Sequence, residues 1–338
     1  MKTEFFLSCL LVFLLLGTIE ADKNESLGVS KHTLAKTTAA MKPGQWKRFE
    51  SKGFNRELLM SGGKSIMAYC NKAAWDIKTQ TVHYIGMYHL TPPAKHIQFS
   101  AKTNTWEGLS GEDWYKTNKW FHAYDNSTAG NGIFYHNFWG QQVWAYTIDT
   151  KKWAELPKPP KAGSHGASLT FFPDMGNAGS LVHLHGNKLQ ILDLETKSWR
   201  AIIKKAKGAG RIGTYHNVSM YNPKRKTVIF GGGNGSKFLF ELDAKENISA
   251  VKECPVMIGS KGSMSVFVID PASGDLLVSP KINNTLYAYN LSAQNPEWKQ
   301  IPDAKLKRSI VCALEGLGVT LWFSGKGVWL YKHKPLEN

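Results

Sequence analysis

The stretch Val143-Trp144-Ala145-Tyr146-Thr147-Ile148-Asp149-Thr150-Lys151-Lys152-Trp153 decides the fold. An apolar run leads into a polar Asp-Thr-Lys turn, and a Trp opens a second short apolar stretch. This is the pattern of two antiparallel strands joined by a hairpin. The same unit recurs at Ile97 to Trp106, at Leu189 to Trp199 and from Thr285 to Trp298. Trp106, Trp153 and Trp199 stand 47 and 46 residues apart, and Trp298 follows 99 residues later, two such periods. The copy between them is Phe238 to Ser249, in which Ile248 takes the Trp position.

The chain finishes on Gly327-Val328-Trp329-Leu330-Tyr331, a third-strand pattern with no Trp strand after it. Gln45-Trp46-Lys47-Arg48-Phe49, near the other end, is a Trp strand with no partner before it. Joining the two closes a ring and removes both open sheet edges. Trp46, Trp106, Trp153, Trp199, Ile248 and Trp298 then mark six units of about 49 residues each. The expectation is an all-β fold, a six-bladed β-propeller of four-stranded blades closed by the N-terminal strand. The first interval, 60 residues, implies an inserted loop at Leu90 to Lys95 or at Gly111 to Lys119.

The turn-Trp units and the stretch Val228-Ile229-Phe230-Gly231-Gly232-Gly233-Asn234-Gly235 resemble the kelch family and the propeller of galactose-oxidase-like proteins. The likeness covers residues 46 to 338, and only that stretch carries the glycine doublet of the family. The radical-copper oxidase activity of some relatives requires Tyr, Cys and His partners, including a Tyr-Cys crosslink. The motifs quoted above assign no residue to that set.

Met1-Lys2, an apolar run from Phe5 to Leu16 and a small-residue segment ending at Ala21 have the order of a secretory signal. The apolar run is shorter than the roughly 20 residues a membrane span needs. The domain expectation is a signal peptide over 1–21, a polar leader over 22–43 and a single propeller over 44–338. Export, or a periplasmic location in a Gram-negative bacterium, follows from it. Losing Lys2, Glu4 and Glu20 raises the formal charge from +16 to +17. Outside the cytoplasm such a charge favours acidic glycans or anionic surfaces over nucleic acid. Cys70, Cys254 and Cys312 remain, an odd number that permits at most one internal disulfide, so the fold relies on a buried core.

Histidines gather where innermost strands begin or end. His122, His165 and His216 precede the first strands of blades 2, 3 and 4, and His136 follows the second strand of blade 2. With Tyr215 they form the candidate ligand site at the channel mouth. His183-Leu184-His185 puts two imidazoles on one strand face, yet no further ligand spacing accompanies it, so no metal and no cofactor are expected. Gly208 to Gly213 matches G-x-G-x-x-G but lies between strands, where a dinucleotide fingerprint must open a helix. Gly231 to Gly235 lacks the Lys-Ser/Thr end of a phosphate loop and reads as a turn requiring positive φ.

Basic runs at 204–207, 224–226 and 305–308 sit at turns or strand ends, and Asn24, Asn126, Asn217, Asn234, Asn247, Asn283 and Asn290 head N-x-S/T triplets. The expected partner of this monomer is an acidic polysaccharide or an extracellular protein, with no nucleic acid and no membrane span. The rival expectation is a polysaccharide lyase in which Tyr215, His216, His122, His136 and Arg211 supply the base and the carboxylate clamp. A copper oxidase of the galactose-oxidase kind is a third reading.

Overall fold

The computed structural model describes residues 32–70, 72–88, 91–109, 122–138, 142–160, 166–202, 209–259, 265–280, 285–302 and 309–336. They form six sheets of four antiparallel strands in a ring. The innermost strands of blades 1 to 6 are Ala74–Asp76, Ser127–Gly130, Ser168–Phe172, Asn217–Asn222, Val266–Ile269 and Ile310–Leu314. The outermost are Thr105–Leu109, Lys152–Glu155, Ser198–Ala201, Ile248–Ala250, Trp298–Ile301 and, for blade 6, Trp46–Phe49. Blade 6 is therefore completed by the N-terminal strand, with Trp46 opposite Tyr331 and Phe49 opposite Val328.

Each outer strand is fixed by one cross-strand pair. Trp106 faces Phe99, Trp153 faces Tyr146, Trp298 faces Tyr289, and the rings lie 5.1, 4.9 and 4.8 Å apart. Trp199 faces Leu192, and Ile248 faces Leu242 at the equivalent place in blade 4. Aromatic pairs of this kind hold a sheet edge that has one neighbour only. The turns before these strands carry a left-handed residue at matching positions, Asn104, Lys151, Lys197 and Glu246. Asp193 Oδ1 accepts the Glu195 and Thr196 amides, and Asp243 Oδ1 those of Lys245 and Asn247, so an aspartate closes the turn in blades 3 and 4.

Six apolar clusters occupy the six blade interfaces, as sheets buried on both faces require. Tyr84, Phe99 and Val82 of blade 1 meet Leu321, Phe323 and Leu330 of blade 6. Phe172, Val182 and Ile191 of blade 3 meet Val228, Phe230 and Phe240 of blade 4. The three thiols are buried, and no disulfide links Cys70, Cys254 and Cys312.

Two expectations are corrected. Residues 91–95 are not an inserted loop: they open the strand Thr91–Ser100, which pairs with Thr81–Tyr88. The extra length of the first unit lies in 50–73, where the short strands Met60–Ser61 and Lys64–Ser65 pair with each other. The segment Gly111 to Lys119 lies outside the described residues. Second, His136 does not follow the second strand of blade 2 but belongs to it, within Ile133–Asn137. Within the polar leader expected over 22–43 lies a helix, Thr33–Ala39, capped by His32 Nδ1 accepting from Ala35 N at 3.1 Å. Leu34 and Met41 bury in the blade 6 to blade 1 cluster, and Lys332 Nζ donates to Thr38 O at 3.2 Å. The signal segment lies outside the described residues, among which no helix is long and apolar enough to cross a membrane. Ala209–Arg211 is a single 3-10 turn between blades 3 and 4, consistent with an inter-blade loop at Gly208 to Gly213.

Candidate functional site

The inner strands are entered through left-handed residues. In blades 1, 2 and 4 these are Tyr69, Tyr124 and His216, with φ of 54°, 46° and 61°, and in blade 3 Gly166 at 75°. A bulky side chain in this region costs roughly 1–3 kcal/mol, and such outliers collect at functional sites. Here they bring rings from three blades together at one end of the axis. Tyr69 stands 4.4 Å from His122 and 6.1 Å from His216, nearly parallel to the latter. Tyr124 stands 5.2 Å from His122 and 5.4 Å from His216, and Tyr215 adds a fifth ring 6.4 Å from His216.

The tip bearing Tyr215 and His216 is held tightly. A Cβ on Gly166 would come within 2.4 Å of His216 N, and one on Gly259 within 2.4 Å of His216 O, so glycine is required on both sides. Asn217 N donates to Gly166 O at 2.8 Å, Asn217 Oδ1 accepts from Gly186 N at 2.7 Å, and Asn234 N donates to Tyr215 O at 2.8 Å. Gly232, Gly233 and Gly235, all at positive φ, form the adjoining turn, as their sequence implies. Burial, helped by Tyr215 and Tyr69, pushes the Tyr124 phenol well above its ordinary value and keeps it a neutral donor. Arg211, exposed on the 3-10 turn leading to this tip, lies over the Phe238 ring at 4.6 Å.

The same end of the ring carries the exposed large apolar side chains of the described residues: Tyr69 (39%), Tyr88 (38%), Tyr215 (41%) and Met257 (57%). Tyr88 ends the second strand of blade 1, which runs antiparallel to the inner strand and finishes where that strand begins. Exposed apolar groups gathered on one face mark a recognition surface.

Below the cluster the channel is crossed by one side chain. Lys72, 5% exposed, leaves blade 1 and donates to Asp125 Oδ2 of blade 2 at 3.2 Å, to Leu169 O of blade 3 at 2.7 Å and to Ser219 O of blade 4 at 3.1 Å. Blade 4 stands opposite blade 1 in a six-membered ring, so the ammonium spans the axis with all three protons bonded. Asp125 Oδ2 also accepts from Ser219 N at 2.9 Å. Burial pushes the Asp125 carboxyl up to about 6 against the pull of Lys72, and desolvation lowers Lys72.

Of the residues expected at the mouth, His122, Tyr215 and His216 come together. His165 lies outside the described residues. His136 does not join them: it is fully buried beside Phe138 at 4.1 Å, with Nδ1 bonded to Ser127 Oγ at 2.8 Å. Burial lowers its pKa to about 3, which keeps the imidazole neutral. Tyr69, Tyr124 and Lys72 went unrecognised in the sequence, although Tyr69, Tyr124, Gly166 and His216 each stand shortly before an inner strand.

Among the described residues no group of three or more His, Cys, Asp or Glu could hold a metal ion. The Cys70 thiol points inward, donating to Tyr124 O at 3.3 Å, and is 1% exposed. That placement does not suit a crosslink to the Tyr69 or Tyr215 ring, and no step through copper is derived.

No known family and no curated protein matches this chain. Among solved structures, a chain of the "Crystal Structure of Mitotic Checkpoint Complex" is similar at a TM-score of 0.49 and 12% identity, over 97% of this chain and 100% of that one. A structural genomics protein of unknown function from Bacteroides thetaiotaomicron VPI-5482 is similar at 0.46 and 11%, over 87% and 73%. An oligogalacturonate lyase in complex with manganese is similar at 0.43 and 10%, over 83% and 80%. Likeness at this level carries no activity from those proteins to this chain, whose architecture stands on its own strand pairing.

Proposed function

We propose that this is a secreted, kelch-like propeller that binds an acidic polysaccharide at the face bearing Tyr69, His122, Tyr124, Tyr215 and His216. The observation that carries the reading is the meeting of five rings from three blades, on strained backbone, at one open end of the axis. Tyrosine faces stack on the apolar sides of sugar rings, and imidazole N–H groups donate to carboxylate or sulfate. The formal charge of +16 draws polyanions to the surface, and Arg211 beside the site adds a local cation.

The test is a calorimetric titration with polygalacturonate, a sulfated glycan and a neutral glycan at low and high salt, together with the absorbance of unsaturated uronate products. Lysine and arginine contacts are screened over about 8 Å at physiological ionic strength, whereas ring stacking is not. Tyr215→Ala is therefore expected to weaken binding about tenfold at both salt concentrations, and Arg211→Ala only at low salt. Equal affinity for neutral and acidic glycans overturns the proposal. Rising unsaturated product changes the assignment to a lyase with Tyr215 and His216 as candidate bases and Arg211 as clamp.

A further inference from the structure

The opposite end of the axis holds a second recess of different chemistry. Beyond the Lys72 crossing, the far ends of the inner strands enclose a cavity of about 230 Å³. Its lining combines apolar residues such as Met220 and Ile269 and the aromatic residues Trp75, Phe171 and Tyr221 with Lys72 and the hydroxyl side chains of Thr128 and Thr170. Glu315 stands at its edge.

The rings are fixed in place. Trp75 Nε1 donates to Glu315 O at 3.0 Å, which seats the indole beside that residue. Tyr221 Oη donates to Asp174 Oδ2 at 2.5 Å. Phe171 lies against two glycines: a Cβ on Gly130 would come within 2.2 Å of the ring, and one on Gly179 within 2.6 Å. Burial, and then the neighbouring charge of Asp174, holds the Glu315 carboxyl above its ordinary range. The nearest cation to Asp174, Lys226, is 3.7 Å away with its side chain 71% exposed. Two carboxylates that repel each other beside aromatic faces, on a protein of strongly positive charge, form a setting that an ammonium group relieves.

Lys72 offers an anion no free proton, because all three are already taken by Asp125, Leu169 and Ser219. A neutral apolar molecule would fill the apolar part of the recess and leave the Glu315 carboxyl without a cation, whereas Asp174 already has Tyr221 and Lys226. We propose that this recess binds a small organic cation, an alkyl- or arylammonium whose head lies by Glu315 and Asp174 among the aromatic rings and whose apolar body reaches Met220 and Ile269. The site is independent of the glycan face at the other end.

The probes are benzylammonium, its neutral analogue benzyl alcohol, and benzoate, each titrated calorimetrically into the full-length protein. Benzylammonium is expected to bind saturably with 1:1 stoichiometry, benzyl alcohol at least about tenfold more weakly, and benzoate not at all. Glu315→Gln, an isosteric change, is expected to remove most of the preference for the cation. Tyr215→Ala, on the glycan face, is expected to leave benzylammonium binding unchanged. Equal binding of benzylammonium and benzyl alcohol, an unaltered affinity in Glu315→Gln, or no heat from benzylammonium at millimolar concentration overturns the proposal. A failure of glycan binding with benzylammonium still bound leaves this site standing.

Discussion

At the scale of single residues, two kinds of expensive feature define the axis. Lys72 and Asp125 are ions at 5% and 2% exposure, and removing one partner of such a pair strands the other. Lys72→Met is expected to lower stability by about 3–5 kcal/mol, and Lys72→Met with Asp125→Asn to recover at least half of that. Urea denaturation of both variants is the measurement, and equal losses in the two would show that the charge pair is not what the site depends on. The other feature is the left-handed backbone at Tyr69, Tyr124 and His216. His216→Gly trades the ring for relief of strain. It is expected to leave the denaturation midpoint nearly unchanged, within about 1 kcal/mol, while glycan affinity falls about tenfold. A variant that unfolds readily, or that binds glycan normally, would remove His216 from the site.

Among the elements, the strand Trp46–Phe49 has the largest structural consequence for its four residues. It supplies the fourth strand of blade 6, and Trp46 stacks on Tyr331 at 4.4 Å while Phe49 meets Phe99 of blade 1 at 5.9 Å. It therefore joins the last blade to the first. Phe49, 4% exposed, is expected to cost about 3–4 kcal/mol when truncated to Ala, with unfolding still a single transition. Deleting residues 41–50 is expected to lower the melting temperature of the whole ring rather than fray one blade. Calorimetry distinguishes the outcomes, since a truncated protein that melts like the parent would mean that blade 6 closes without this strand.

Over the whole molecule, buried histidines set the response to acid. His83, His136 and His183 are fully buried, and desolvation lowers each to about 3, with His96 lowered well below its ordinary value. The unfolded chain protonates these groups near 6.5 and the folded chain does not, so their stabilising effect is complete above that pH and lost progressively as pH falls towards 3. Each contributes about 1.4 kcal/mol per pH unit in that window. Asp125 and Asp270, raised by burial, take up protons in the folded state first and offset part of the loss. Stability is expected to be level around pH 7–8 and to fall steeply below about pH 6. His183, whose ring nitrogens have no hydrogen-bond partner, is the cleanest probe. His183→Leu is expected to preserve stability at pH 8 and to make the acid slope shallower by about one proton equivalent, read from urea midpoints across pH. An unchanged slope would show that this imidazole is protonated in the fold.

The sequence by itself determined the blades, their number and their closure. Strand alternation, turn chemistry and the Trp that faces Phe99, Tyr146 or Tyr289 are short-range patterns, and repetition shows them six times over, with Ile248 recognisable as the odd member. What lies at the axis was decided only by the tertiary structure. Tyr69, Tyr124 and His216 meet because three separate blades place one left-handed residue at the same end of the ring, although the loops before them differ in length. His136 stands in a strand whose side chains alternate between faces, and the ring geometry turned it away from the mouth into the protein interior. Asn126 and Asn217 head sequons yet are buried, while Asn234 and Asn247 are exposed. Lys72 had no periodic or motif signal at all. Its three partners lie 53, 97 and 147 residues away, and only closing the ring sets them around one ammonium group.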